Sequence, residues 1–251
     1  VGAEMCIRDS PKTIYFASQR VWKSNNRGDS WTPISKDLTK DEERFSLPIM
    51  GRIQSIDNAW DVYAMSTYNT ITSISESKLD SNIIYIGTDD GIILSTKDGG
   101  LKWDKMTVDQ LPKTPASAFV NDIKTDLFDS KKTYICLDNH KFGDYQPYLF
   151  KTTDGGKTWK KITNGIPKNT LVWRIVQDHE NPNLLFLGTE YGVYVSLNQG
   201  EKWHKFSNGL PTIPVRDLTI QRRENDLVLA TFGRSFYLSL IHISEPTRPL
   251  Y

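Results

Sequence analysis

Thr152-Thr153-Asp154-Gly155-Gly156-Lys157-Thr158-Trp159 is one of four stretches of this chain with the pattern Ser/Thr-x-Asp/Asn-x-Gly-x-x-Trp. The others are Ser24-x-Asn26-x-Gly28-x-x-Trp31, Thr96-x-Asp98-x-Gly100-x-x-Trp103 and Ser196-x-Asn198-x-Gly200-x-x-Trp203. A supersecondary unit repeated every ~40–70 residues is the mark of a propeller or an array. Each copy reads as a β-hairpin turn. A short polar side chain followed by Gly bonds its own backbone and accepts positive φ. The Ser or Thr hydroxyl holds the turn from the strand end, and Trp opens the next strand with a large ring to bury. Asn replaces Asp in two of the four copies, which suits a turn better than a sugar- or calcium-binding acidic loop. All four Trp rings are therefore expected to be buried beside their own turns.

Around each turn the same sequence of strands recurs. Asn82-Ile83-Ile84-Tyr85-Ile86-Gly87 matches Asn183-Leu184-Leu185-Phe186-Leu187-Gly188, and the runs ending in Ala17, Cys136 and Ala230 fall in the same register. A further apolar run precedes each of the later four, as in Leu171-Val172-Trp173-Arg174-Ile175. One repeat is then strand A, a polar turn, strand B, a Gly turn, strand C, the box turn and strand D. Four short antiparallel strands without helical periodicity make the blade of a β-propeller.

The predicted fold is thus all-β: a propeller arc of about four four-stranded blades, incomplete relative to a parent propeller. The units are a partial blade at 11–34 beginning at strand B, a connection at 35–69, blades at 70–107, 118–163 and 170–207, and a partial blade at 213–237. The two ends are set aside. Leu238–Pro249 resembles a translated transposon end with a sequencing adapter, and Gly2–Ser10 resembles the opposite strand of the same element. Residues 1–10 and 238–251 are accordingly read as library scars that pack poorly. The alternation in Leu238-Ser239-Leu240-Ile241 nevertheless suits an extension of strand C.

Composition fits a globular domain, with 38% apolar, 11% aromatic and 24% charged residues. A formal net charge of +1 gives no electrostatic case for nucleic acid or an anionic membrane surface. With Cys6 in a suspected scar, Cys136 stands alone in a strand, so no disulfide framework exists. Four scattered histidines suggest no zinc site. No cofactor-binding loop, nucleophile elbow or membrane-spanning run is present.

Successive turns of a meander alternate between its ends. The A–B and box turns share one face of the disc, and the B–C turns share the other with the connections between blades. The B–C turns carry Asp89, Asp90, His140, Asp144, Glu190, Tyr191 and Arg234, residue types that bind sugars or peptides. Glycoside hydrolysis needs a pair of carboxylates, and Asp89, Asp90, Asp144 and Glu190 are the candidates. Arg174, in strand A, is placed toward the central channel, where Glu190 or Asp217 is its expected partner. The expected ligand face is the one opposite the boxes, with Arg174, His140, Tyr191 and Arg234 as binding residues.

The boxes, with Gly87-Thr88-Asp89-Asp90-Gly91, Leu137 to Asp144, Val172 to Asp178 and Phe232-Gly233-Arg234-Ser235-Phe236-Tyr237, resemble the bacterial BNR/Asp-box propeller family, over nearly all of residues 11–237. That family includes proteins called glycosyl hydrolase-like and sortilin-like. The resemblance implies an exported protein, secreted, periplasmic or on the cell surface, with further blades. It implies either a glycan-active or glycan-binding propeller or a non-catalytic, sortilin-like scaffold for peptides or proteins.

Overall fold

The computed structural model describes residues 3–6, 12–43, 48–49, 52–53, 68–207 and 209–240. Among the described residues five antiparallel blades follow in chain order, each a meander, with one further two-stranded sheet. The first blade is β1 (Ala3–Cys6), β2 (Ile14–Ala17), β3 (Val21–Ser24) and β4 (Thr32–Pro33). A two-stranded hairpin follows, β5 (Pro48–Ile49) and β6 (Arg52–Ile53). The second blade is β7 (Ile71–Glu76), β8 (Ile84–Thr88), β9 (Ile92–Thr96) and β10 (Asp104–Thr107). The third is β11 (Phe119–Thr125), β12 (Thr133–Asn139), β13 (Asp144–Thr152) and β14 (Lys160–Lys161). The fourth is β15 (Val172–Gln177), β16 (Leu185–Thr189), β17 (Gly192–Ser196) and β18 (His204–Phe206). The fifth is β19 (Val215–Gln221), β20 (Asp226–Thr231) and β21 (Phe236–Leu240).

The sequence reading starts the first blade at its second strand. In the structure Ala3–Cys6 fills the inner place, pairing Ala3 with Ala17 and Cys6 with Ile14. At the other end β21 runs through Leu240, as the alternation of that segment suggested. Of the connection at 35–69, residues 44–47, 50–51 and 54–67 lie outside the described residues, as does His242.

Each joint between neighbouring blades has its own hydrophobic cluster, four clusters for five blades. Tyr15, Val21, Ile71 and Ile84 belong to the first, and Tyr85, Ile93, Val120 and Phe150 to the second. Leu149, Ile162, Leu187 and Trp203 belong to the third, and Phe186, Val193, Leu218 and Leu229 to the fourth. Strand B must be slim where the next blade's inner strand crosses it. A Cβ on Gly87 would lie 2.3 Å from Val120 Cγ1, and one on Gly188 would lie 2.7 Å from the Val215 carbonyl. Cys136 and Ala230 fill that register in the other blades.

The four box turns are bonded alike. The hydroxyl of Ser24, Thr96, Thr152 or Ser196 accepts the N–H of the box glycine at 2.8–3.0 Å. It donates to Oδ1 of Asn26, Asp98, Asp154 or Asn198 at 2.7–2.9 Å. That Oδ1 in turn accepts the N–H four residues further on, at 2.9–3.0 Å. Only an acceptor oxygen is needed for these three bonds, so an amide can stand in for a carboxylate.

The box tryptophans are not all buried, contrary to the expectation from sequence. Trp203 is 1% exposed and Trp31 39% exposed, with Trp103 and Trp159 between. Trp31, Trp159 and Trp203 do lie beside their own box glycines, but what buries a box ring is the joint with the preceding blade. Trp103 Nε1 donates to the Ile34 carbonyl at 3.3 Å, and Trp203 Nε1 to the Ile162 carbonyl at 2.8 Å. Trp159 packs against the cluster shared by the second and third blades. Trp31, in the first blade, has no preceding blade among the described residues and meets Phe16 edge-on instead.

The inner strands repeat one irregularity. β7, β11, β15 and β19 each carry a bulge near their start, which leaves Thr72, Asn121, Trp173 and Arg216 as the extra residues. A bulge adds an unpaired residue and re-aims its side chain.

Candidate functional site

The B–C face of the last three blades gathers rings and charges into one strip. After β12 the chain makes a single 3-10 turn at His140–Phe142, ended by Gly143 at φ 78°. This turn puts the His140 ring edge-on to Phe119, with centroids 6.1 Å apart, and edge-on to Trp173 at 5.9 Å. Lys141 Nζ stands 4.9 Å from the centre of the Phe119 ring. The bulge in β19 sends the Arg216 guanidinium over the other ring of this strip, 3.7 Å from the Trp173 centroid and 5.8 Å from that of Phe232. Cation–aromatic and edge-on ring contacts therefore run unbroken from Lys141 through Phe119, His140, Trp173 and Arg216 to Phe232, across three blades.

Two carboxylates support the strip from behind. Glu190, in the β16–β17 turn, accepts the Trp173 indole N–H at 3.1 Å and lies 3.8 Å from Arg216 Nη2. Asp138, wholly buried at the end of β12, accepts the His140 backbone N–H at 3.2 Å. Its Oδ1 lies 2.6 Å from His140 Nδ1. The other oxygen of Asp138 has no partner among the described residues.

The residues singled out from sequence divide between this strip and the scaffold. His140 and Glu190 sit in the strip, both against Trp173, and Tyr191 is exposed next to Glu190. Arg234 is exposed in the β20–β21 turn. Asp89 accepts the Thr70 N–H at 2.8 Å and the Thr70 hydroxyl at 2.9 Å, tying the start of β7 to the end of β8. Burial raises its pKa, with Asp90 adding to the shift and Thr70 and Lys141 opposing it. Asp90 is buried between the Thr88 hydroxyl and the Lys40 N–H. Asp144 accepts the Tyr148 hydroxyl at 2.6 Å and the Gln146 N–H at 3.0 Å. Arg174 pairs first with buried Asp122, at 2.9 Å, and more loosely with Asp217, at 3.5 Å. Of its two expected partners only Asp217 is beside it, and Glu190 turns instead to Trp173 and Arg216. Asp122 holds the Arg174 guanidinium in its charged form.

Phe119, Trp173 and Arg216 come together only in the structure. In sequence Trp173 reads as one more apolar residue of a core strand, and nothing in its neighbours announces the bulge that turns it. Among the described residues no group of three or more His, Cys, Asp or Glu side chains is placed to hold a metal ion, and no helix is long and apolar enough to cross a membrane.

The fold and site define an arc of β-propeller blades with one chemically distinct face, and solved propellers share that architecture. An ancestral GH74 enzyme superposes with a TM-score of 0.66 at 18% identity, over 92% of this chain and 27% of the other. The Niastella koreensis GH74 enzyme gives 0.63 at 12%, over 90% of this chain and 32% of the other. The extracellular domain of BT4673 from B. thetaiotaomicron gives 0.57 at 20%, over 92% and 26%. The structure of YCF48 bound to D1 peptide gives 0.54 at 14%, over 91% and 62%. The chain thus spans about a third or less of the two GH74 enzymes it resembles. At these identities the likeness is one of fold. A scan against protein-family models and a search of curated proteins find no match.

Proposed function

We propose that the B–C face binds carbohydrate, and that the arc belongs to an exported Asp-box propeller of glycosyl hydrolase-like kind. The observation that carries this reading is the aromatic and charged strip, with Phe232 70% and Tyr191 47% exposed beside it. Sugar rings pack their C–H faces on aromatic rings, and a few placed polar groups fix their orientation. The reading is of binding rather than hydrolysis in this segment. Asp89, Asp90, Asp144 and Glu190 all accept hydrogen bonds from donors of the chain itself. A glycosidase needs one such acid protonated and free to reach the scissile oxygen. An exported parent is in keeping with the extracellular domain of BT4673, which shares the fold.

The test is to present the whole chain to a panel of immobilised neutral and acidic polysaccharides beside an array of peptides. Retention on polysaccharide that falls in Phe232→Ala and Tyr191→Ala is the expected result. Retention on peptides alone would favour the other class, a non-catalytic sortilin-like scaffold.

A further inference from the structure

Each blade turns one side of its sheet to the blade before it and the other to the blade after it. At each end of the arc one of these sides has no blade against it among the described residues. On the first blade the open side carries Ile14, Phe16, Trp22 and Trp31. Phe16 pairs with Trp22 as Ile86 pairs with Leu94 in the second blade and Leu187 with Tyr194 in the fourth. Those counterparts lie in the joint with the preceding blade, beside Trp103 and Trp203. Phe16, by contrast, is 44% exposed and Trp31 39%.

On the fifth blade the open side carries Val228, Phe236 and Leu238. Phe236 pairs with Ala230 as Ile93 pairs with Gly87 and Val193 with Gly188. Ile93 and Val193 are buried in the joint with the following blade, whereas Phe236 is 72% and Leu238 71% exposed. The inner strand holds a polar group for the same joint. Ser73 accepts the Ile123 N–H at 2.9 Å, and Asp122 at the same register accepts the Ile175 N–H at 3.1 Å, each from the next inner strand. Asp217 has that register in β19, and its side chain is 63% exposed.

The two open sides are the two halves of one joint, the joint that this chain builds four times within itself. The first-blade side brings rings and an indole N–H, the donor that Trp103 and Trp203 give to a carbonyl of the preceding blade. The fifth-blade side brings apolar side chains and a carboxylate acceptor. Paired with itself, the first would offer two indole donors and the second two carboxylates, each without a partner. From this complementarity we propose that the two open sides bind each other between copies of this chain, the first blade of one docking on the fifth blade of the next. Burial of the exposed rings drives the contact. It is heterologous, so it closes into a ring where the rotation allows and otherwise runs on as a filament. The inference is independent of the carbohydrate reading.

The experiment is sedimentation velocity of the whole chain over a dilution series. The mean mass is expected to rise with concentration above that of a single chain. Phe16→Glu and Phe236→Glu, one on each open side, should each sediment as single chains. Mixed together, they should form a one-to-one pair and nothing larger, because one intact fifth blade then meets one intact first blade. An unaltered chain that stays single throughout, association that either variant leaves unchanged, or a mixture that stays single overturns the proposal. If Phe16→Glu abolishes association and Phe236→Glu does not, the copies meet first blade to first blade and the proposal falls. Both residues are exposed, so thermal melts of the variants should match that of the diluted unaltered chain. Should Phe16→Glu unfold, Trp31→Gln tests the same side.

Discussion

On the box face, Ser24, Thr96, Thr152 and Ser196 make the same set of hydrogen bonds in four blades, whether Asp or Asn stands two residues on. On the B–C face the turns of the second, fourth and fifth blades share a backbone bond, from Asp89, Glu190 and Phe232 to the start of the inner strand. The side chains differ from blade to blade. The second blade ties its acids into the backbone, the third offers His140 and Lys141, and the fourth and fifth supply Trp173, Glu190, Arg216 and Phe232. The same strands feed both faces. Repetition on one side keeps the blades in register, and that leaves the other side free to differ. Substitutions on the first face should therefore act on stability, and those on the second on binding.

The largest expected effect tests whether the box tryptophans are joint-closing residues. Trp203→Ala should cost about 3–5 kcal/mol, the range for a large buried aromatic. Trp31→Ala should cost about 1 kcal/mol, as at an ordinary site. Denaturant unfolding measures both, and equal losses would break the claim that the preceding blade does the burying.

The box glycines sharpen the same contrast. Gly28 and Gly200 both have positive φ, at 98° and 83°, so alanine costs about 1–2 kcal/mol at either. At Gly200 the new Cβ would also lie 2.6 Å from Ile162 Cδ1, whereas at Gly28 only Trp31 is near, at 3.7 Å. Overpacking adds about 1–3 kcal/mol at Gly200 alone.

Asp89 crosses the divide between the faces. It lies in a B–C turn, yet it holds both donors of Thr70. Asp89→Ala should cost about 1–3 kcal/mol, the range for removing hydrogen bonds to a charged group, here a half-buried one. Unchanged melting of that variant would return Asp89 to the list of ligand-facing groups.

A pH titration separates the Asp boxes from the Asn boxes. Hydrogen bonds from the Thr158 hydroxyl and N–H hold the Asp154 carboxyl below its usual range, and those from the Lys102 N–H and the Thr96 hydroxyl do so for Asp98. A depressed folded pKa contributes stability that is present above the unfolded value, about 3.9, and is lost as pH falls below it. Stability measured from pH 5 downward should thus decline less steeply in Asp154→Asn, which starts from a lower stability at neutral pH because the amide lacks the carboxylate's charge-assisted bonds. An identical acid limb in the variant would break this account.

The smallest effect belongs to Tyr191→Ala, which should leave the melting transition unmoved within about 0.5 kcal/mol while weakening retention on polysaccharide. A stability loss without a binding loss would move Tyr191 to the scaffold.

Strand order and box turns were legible in the sequence because they follow from period and turn chemistry. Gly87 and Gly188 could be aligned by eye because the next blade leaves room for little else. The strip was only half legible. His140 and Glu190 lie in turns, where polar residues stand out. Trp173 and Arg216 lie in strands, where period-two reading sends side chains to alternate faces and has no place for an extra residue. The burial of Trp31 was misjudged for a related reason: its cover belongs to a neighbour, which a single repeat does not reveal.

The recurring bulge also sets how such a protein acquires new specificity. Thr72 and Asn121 use it to reach the carbonyl of the next inner strand, Val120 and Val172. One blade later the same place holds Trp173, and after that Arg216. Because the inserted residue has no partner in the ladder, exchanging it leaves the pairing of every other residue untouched. Each blade therefore offers one socket whose occupant can change from stitch to recognition element in a single substitution, so the ligand preference of the arc can evolve blade by blade on an unchanging frame.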